Sequence, residues 1–345
     1  MNWVDERPVL VAPDAFKGTF SAVEVAEAIA AGIESTGILA DRCPIADGGE
    51  GTADVLCGAL GGDVRDVEVT GPLGDAVVAS FTLLERPASG KSRGSRTAVL
   101  DMASASGLPL VPEGARDPLV ATSVGTGELI SAAIDAGAEL VLVACGGSAT
   151  VDGGAGAIEA LTNGGGLRGA KLTCLVDVQT TWERCAAVFG PQKGASPEGV
   201  AELEVRLAAL AATLPNDPRG IPGGGAAGGL AGGLHAAFGA AIEPGAPFVL
   251  TAVGADARMR AARFVIVGEG QLDRTSLQGK APGELATRSR QAGVPCHAVV
   301  GRNALDLFGG RILDLMEILE ATTLDELAAA GKLLATRWLK ATASV

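Results

Sequence analysis

The sequence contains no tyrosine, and aromatic residues make up only 3% of its 345 positions. That scarcity argues against a nucleic-acid surface built from stacked rings. Histidine occurs twice, as His235 and His297, each in apolar surroundings. Both are expected to be satisfied core residues, not catalytic bases or metal ligands. The six cysteines (Cys43, Cys57, Cys145, Cys174, Cys185 and Cys296) are scattered and form no C-x-x-C pair. Free buried thiols in a reducing compartment are the expectation, with no disulfide and no zinc. Positive charge is in deficit: 27 Lys+Arg against 40 Asp+Glu leaves a net charge of -13. Such a field repels nucleic acid and anionic membranes, so neither is an expected partner. A long membrane-spanning run is also lacking. The uncharged stretch 220–242 is mostly Gly and Ala, and Leu230, Leu234, Phe238 and Ile242 recur in it at every fourth position. That pattern is the stripe of one buried helix. The start of the chain has no basic segment leading into an apolar one, so no signal peptide is expected and a cytoplasmic location is.

Glycine is plentiful, with 50 residues, and 48% of positions are hydrophobic against 19% charged. This composition excludes a disordered chain, and without a G-X-Y period it also excludes collagen. The length suggests two domains or one large one. The order of patterns is that of an α/β protein: a short apolar strand, a loop at its carboxyl end, then a capped helix. The strand Pro8–Ala12 leads to the loop Pro13–Gly18, and Ser21 with Glu24 forms a capping box for the next helix, as Thr323 with Glu326 does for the last one. A second acidic, Gly-rich loop, Ile45–Gly51, precedes a helix opened by Thr52. Residues 64–84 then alternate around Gly71-Pro72-Leu73-Gly74, which predicts a β-hairpin. The basic tract Arg86–Arg96 is expected to be a solvated hairpin tip. Beyond it, Leu140–Cys145, Leu172–Val178, Phe264–Val267 and Val294–Val300 are expected strands. Gly146–Gly154 and Gly268–Asp273 are expected loops.

Generic motifs carry little weight here. G-x-G-x-x-G occurs at Gly164 and at Gly223, but glycine is so common that about one chance match is expected. Neither match clearly follows a strand, as a dinucleotide fingerprint requires. There is no Walker A sequence and no G-x-S-x-G. More specific is a set of Gly-rich loops that each carry charge. Asp14 and Lys17 share the first, Asp47 and Glu50 the second. Asp152 lies in the loop Gly146–Gly154 and Lys193 in Phe189–Gly194. Glu269 and Asp273 share a fifth, with Lys280 just after it. Backbone N–H groups in such turns bind phosphate, lysines add point charge, and carboxylates hold Mg²⁺ through waters. These are the parts of phosphoryl transfer, although any one loop alone reads equally as a tight turn with a capping carboxylate.

The wording of these loops resembles the type I glycerate kinase family. The matching segments include Ala12–Gly18, Ala46–Thr52, Val69–Gly74 and Gly125–Ile130, and then Gly146–Gly156, Phe189–Ser196, Pro222–Leu230 and Val267–Asp273. They run in order from about Val9 to Leu339. The resemblance implies ATP- and Mg²⁺-dependent phosphorylation of D-glycerate, usually at the 2-hydroxyl. It also implies two α/β domains with the active site in the cleft between them. One would be a Rossmann-like parallel sheet with helices on both faces, the other an inserted mixed-sheet domain. The expected boundaries are 1–63 plus 256–345 for the first and 64–255 for the second. Three departures stand out. Val151 replaces a usual Asn, Asp177-Val178-Gln179-Thr180-Thr181-Trp182 keeps only the start of Asp-Val-x-Asn-Pro-Leu, and the segment between Leu161 and Leu172 is short. They leave open a kinase for another small hydroxy acid, or a non-catalytic binding protein that kept the fold.

On this reading Asp177 is the base that accepts the hydroxyl proton, with Asp152 as the alternative. Lys193 and Lys17 clamp anions. Lys193 follows a Gly-Pro turn and is expected in a surface loop, not in a buried structural role. Asp14, Gly146, Gly147, Ser148, Thr150, Gly268, Gly270 and Lys280 complete the substrate and phosphate contacts. Asp47, Glu50 and Asp273 are the magnesium carboxylates. Partners are D-glycerate and ATP, and the chain is expected to be a monomer or homodimer.

Overall fold

The structure, a computed structural model, describes residues 6–88 and 95–343. The strands among them are β1 (Val9–Pro13), β2 (Ala40–Arg42), β3 (Gly62–Thr70), β4 (Ala76–Leu84), β5 (Thr97–Asp101), β6 (Leu140–Ala144), β7 (Lys171–Val176), β8 (Ala241–Pro244), β9 (Val265–Leu272), β10 (Cys296–Asn303) and β11 (Leu315–Glu320). The chain divides into two compact units. One consists of residues up to Asp47 together with those from Val249 on, and the other is Gly48–Phe248.

The discontinuous unit is built on a five-stranded sheet of order β11-β10-β9-β1-β2, every pair parallel. Parallel strands buried on both faces read as continuous apolar runs, and Val9, Leu10, Val11 and Ala12 are all inaccessible to solvent. Val9, Val11, Ile266 and Val299 pack against Ile29 and Ile33 of the helix Ala22–Glu34 and Leu327 and Leu334 of the helix Leu324–Ala343. These two helices touch through glycines. A Cβ on Gly32 would lie 1.8 Å from Ala328 O, and one on Gly331 would lie 2.3 Å from Ile29 O. Both predicted capping boxes form. Ser21 Oγ accepts from Glu24 N at 3.2 Å, and Thr323 Oγ1 from Glu326 N at 3.2 Å.

The continuous unit carries a six-stranded mixed sheet, β3-β4-β5-β6-β7-β8. β3–β4 is the expected hairpin, with Val69 opposite Val77, and β4–β5 is also antiparallel. The remaining pairs are parallel. Leu100, Leu129, Ile130, Val143 and Leu234 belong to its main core. A satellite core joins Val151 and Trp182 to Leu203 and Leu207 of the helix Pro197–Ala211.

Several expectations need correction. Gly268–Asp273 is not a loop: β9 runs on through Leu272, because Glu269 and Gln271 stay in register with Val300 and Arg302 of β10. The stripe through Ile242 is not one helix. The helix Leu230–Phe238 ends at Gly239, which takes the left-handed conformation (φ 70°), and Ile242 belongs to β8. β2 and β11, short or half-exposed, were not foreseen. The centre of the expected basic hairpin tip, 89–94, lies outside the described residues. No helix among the described residues is long and apolar enough to cross a membrane. All six cysteines are free.

Candidate active site

In each unit the charged loops gather at the carboxyl ends of parallel strands, where open α/β sheets place their ligands. In the discontinuous unit, Asp14 directly follows β1, Asp47 ends the segment after β2, and Lys280 precedes the helix Ala281–Ala292. With Glu269, Gln271 and Arg302 they line a cavity of about 550 Å³. Asp14 and Asp47 are buried, while Lys17 is exposed and reaches Asp47 Oδ2 at 3.6 Å. Burial holds the Asp14 carboxyl well above the usual range. The nearby Asp47 charge adds to this, against the pull of Lys17. Glu269 is also raised, mainly by burial, with Lys280 Nζ 3.5 Å from its Oε2 working the other way.

Other expected residues of this unit have local work. Asp273 Oδ1 accepts from Thr275 N at 2.8 Å and Thr275 Oγ1 at 2.6 Å, and its Oδ2 accepts from Gln271 Nε2 at 2.9 Å. It holds the turn Arg274–Gln278, and these bonds lower its pKa. Gly268 and Gly270 lie inside β9. A Cβ on Gly268 would sit 2.6 Å from Val299 O, which close backbone approach forbids, and one on Gly270 would sit 3.3 Å from Phe16 Cα, a tight contact.

In the continuous unit, the loop Gly146–Gly154 follows β6 and Asp177 follows β7, half-buried. Lys193 is buried, contrary to its expected surface place. Its Nζ donates to Ser148 Oγ at 2.6 Å and to Thr150 O at 2.7 Å. The ammonium also sits 5.9 Å from the Phe189 ring centre. Desolvation lowers its pKa to about 8. The Thr150 Oγ1 is buried without a hydrogen-bond partner among the described residues. Asp152 accepts four bonds: from Ser123 N (2.9 Å), Ser123 Oγ (2.7 Å) and Gly156 N (3.2 Å) on Oδ2, and from Gly154 N (3.0 Å) on Oδ1. It anchors the start of the helix Ala155–Asn163. Gly146 and Gly147 lie against the second acidic loop. A Cβ on Gly146 would fall 2.6 Å from Gly49 Cα, and one on Gly147 would fall 3.5 Å from Oε2 of the exposed Glu50.

Sequence reasoning missed Asp101. This last residue of β5 accepts from Gly51 N at 2.7 Å and Ala53 N at 3.0 Å. It thereby caps the helix Thr52–Leu60, whose own N-cap residue is Gly51 and has no side chain. Burial raises the Asp101 pKa to about 7. The capping residue comes from a strand 48 residues away in sequence, so no local pattern announces it. Arg302 was also missed, because a lone arginine at a strand end has no local signature. Among the described residues no three Asp, Glu, His or Cys side chains converge closely enough to hold a metal ion by themselves. His235 Nδ1 lies 2.8 Å from Ala240 O. His297 sits edge-on to Phe264 with its Nδ1 unpartnered among the described residues, and burial lowers its pKa to about 4.

A sequence model of the Glycerate kinase family matches residues 9–165 and 165–336. Glycerate kinase of Bacillus subtilis (strain 168) is 40% identical over 335 residues, covering 86% of this chain and 86% of that protein. Glycerate 2-kinase of Escherichia coli (strain K12) is 37% identical over 332 residues, covering 85% and 84%. A crystal structure named for glycerate kinase 2 of Salmonella typhimurium LT2 superposes with a TM-score of 0.80 at 34% identity, covering 98% of this chain and 100% of that one. With its two α/β units and collinear loops, the chain belongs to the glycerate kinase family.

Proposed function

We propose that this protein transfers the γ-phosphoryl group of ATP to D-glycerate, at the 2-hydroxyl, to give 2-phosphoglycerate. The observation that carries this reading is full-length membership of a kinase family, one relative of which is named glycerate 2-kinase. The charged loops of both units, gathered at strand carboxyl ends, support it.

Asp177 takes the hydroxyl proton. It is preferred over Asp152 because it directly follows β7 at the carboxyl end of the sheet, whereas Asp152 anchors the start of a helix through four hydrogen bonds. Lys193, with two of its three N–H groups engaged by Ser148 and Thr150, orders the loop Gly146–Thr150 as a donor of fixed position. The backbone and hydroxyls of Gly146, Gly147, Ser148 and Thr150 then face the acceptor. Lys17 and Lys280 supply charge to nucleotide phosphates around the cavity that also holds Asp14.

Magnesium would be held by Asp14 and Asp47, with Asp273 acting through water. The fit is sound: two buried carboxylates lie close enough for the charge of Asp47 to raise Asp14, with the exposed Lys17 beside them, and Mg²⁺ takes one or two carboxylates plus phosphates and waters, not a full protein cage. When bound, it neutralises charge that develops on the phosphoryl oxygens.

The test is a coupled assay of ATP consumption with D-glycerate and a panel of small hydroxy acids, with the product identified by NMR. ATP-dependent formation of 2-phosphoglycerate is expected. Strong turnover of another hydroxy acid without glycerate, or exclusive 3-phosphoglycerate, would sink the reading.

A further inference from the structure

An acceptor that carries a carboxylate needs a cation with donors to offer, and the described residues of the continuous unit supply few. Lys193 is the obvious one, but two of its three donors are bound to Ser148 Oγ and Thr150 O. Arg65, Arg168, Arg206 and Arg219 are paired with carboxylates. Arg86 and Arg96 donate to backbone carbonyls. Lys171 opens β7 at the end of the sheet away from the loops. Arg184 is exposed.

Arg116 is different. It is half-buried, forms no ion pair among the described residues, and its Nε is sequestered from solvent with no hydrogen-bond partner among them. Its backbone lies against the turn that carries Lys193: a Cβ on Gly194 would be 2.4 Å from Arg116 O and 3.2 Å from Arg116 Cβ. The segment that leads to it is tied to the loop after β6. Gly107 bridges Ser148, and Leu108 N donates to Gly147 O at 2.8 Å. A guanidinium that has no counter-charge and a buried, unpaired Nε–H is costly unless something satisfies it. The two Nη groups at its tip form an end-on fork that matches the two oxygens of a carboxylate.

We infer that Arg116 binds the carboxylate of the acceptor by this fork and so selects a hydroxy acid over a neutral polyol or amide. The inference rests on the reading of the acceptor as glycerate. It assigns the carboxylate to Arg116 and leaves Lys193 as the residue that fixes the neighbouring loop.

The test uses the full chain as wild type, Arg116→Lys, Arg116→Gln and, as a contrast, Arg184→Ala. Calorimetry measures D-glycerate binding, and kinetics measure KM for ATP and the preference for D-glycerate over glyceramide. Arg116→Gln should weaken glycerate binding about 10- to 100-fold, the range of a lost charge-assisted pair, and erase most of the preference over glyceramide. KM for ATP should hold, and Arg116→Lys should recover part of the loss. A readout independent of turnover and of variant folding is phenylglyoxal modification of the wild type, followed by peptide mass spectrometry. D-glycerate should protect Arg116. Undiminished glycerate preference in Arg116→Gln overturns the inference, as does its transfer to Arg184→Ala or unprotected Arg116 at saturating glycerate. Binding and protection without phosphorylation would uphold Arg116 and overturn the kinase reading instead. A wild type that binds no glycerate overturns both.

Discussion

Two carboxylates in the continuous unit, Asp152 and Asp177, differ in their place in the fold. Asp152 takes four hydrogen bonds from Ser123, Gly154 and Gly156. Replacing it by Asn leaves donors facing an amide N–H₂, so its main effect should be on stability. Removal of a partner from buried donors costs about 1–3 kcal/mol each. Asp177→Asn should fold normally and lose about 10²-fold or more in kcat, the scale of general-base catalysis. Paired measurement of thermal stability and kcat for both variants decides between them. If Asp152→Asn loses turnover at unchanged melting temperature while Asp177→Asn keeps it, the roles are exchanged. Lys193 belongs to the same comparison. Lys193→Met removes both bonds to the loop and should lower stability by roughly 1–3 kcal/mol along with kcat. A variant as stable as wild type but weak in substrate capture would return Lys193 to a direct anion clamp. The sequence could show that a lysine stood in this loop. It could not show that the loop folds inward, because the contacts with Ser148 and Thr150 span more than forty residues.

At the scale of elements, helix starts illustrate what is local and what is not. The helices after Ser21 and Thr323 cap themselves through Glu24 and Glu326, and both boxes could be read directly. The helix Thr52–Leu60 borrows its cap from Asp101 on β5, and nothing in its own sequence reveals that. The same division applies to strands. β3 and β4 were legible from alternation and the Gly-Pro turn, whereas β9 was cut short because its glycines read as a loop. Gly268 is required by packing, with Val299 O lying where its side chain would be, and Phe16 crowds the same space at Gly270. Likewise Val151 and Trp182, departures from the family pattern, turn out to share one apolar cluster with Leu203 and Leu207. Their side chains serve packing.

The borrowed cap has a pH signature. The Asp101 carboxyl is raised from an ordinary 3.8 to about 7. Between those values the folded state holds a proton that the unfolded state has released, so the native state binds more protons and stability falls as pH rises. The decline should run from about pH 4 to about pH 7 and then level off. Asp101→Asn should flatten this part of the stability curve, measured by urea unfolding at a series of pH values. It should also loosen the start of the Thr52 helix by about 1 kcal/mol, the usual worth of a cap. An identical slope in the variant and the wild type would assign the dependence to other groups.

At the scale of the whole molecule, the division of the chain makes a sharper demand. The six-stranded sheet, its main core and the satellite core around Trp182 all come from within residues 48–248. A stretch of about 200 residues buries enough surface for an independent core. Residues 48–252, which keep the helix Gly245–Ala252 whole, should therefore fold alone and melt in one cooperative step. The fragment contains Arg116, the loop Gly146–Gly154, Asp177 and Lys193, and lacks Asp14, Lys17, Asp47, Glu269 and Lys280. If the acceptor is held as inferred, the fragment should bind D-glycerate within about tenfold of the full chain, about 1.4 kcal/mol. It should have no phosphoryl-transfer activity. Circular dichroism reports the folding and calorimetry the binding. A fragment that folds cooperatively yet does not bind glycerate would show that residues outside 48–252 complete the acceptor site, and Lys17 would then be the first cation to test.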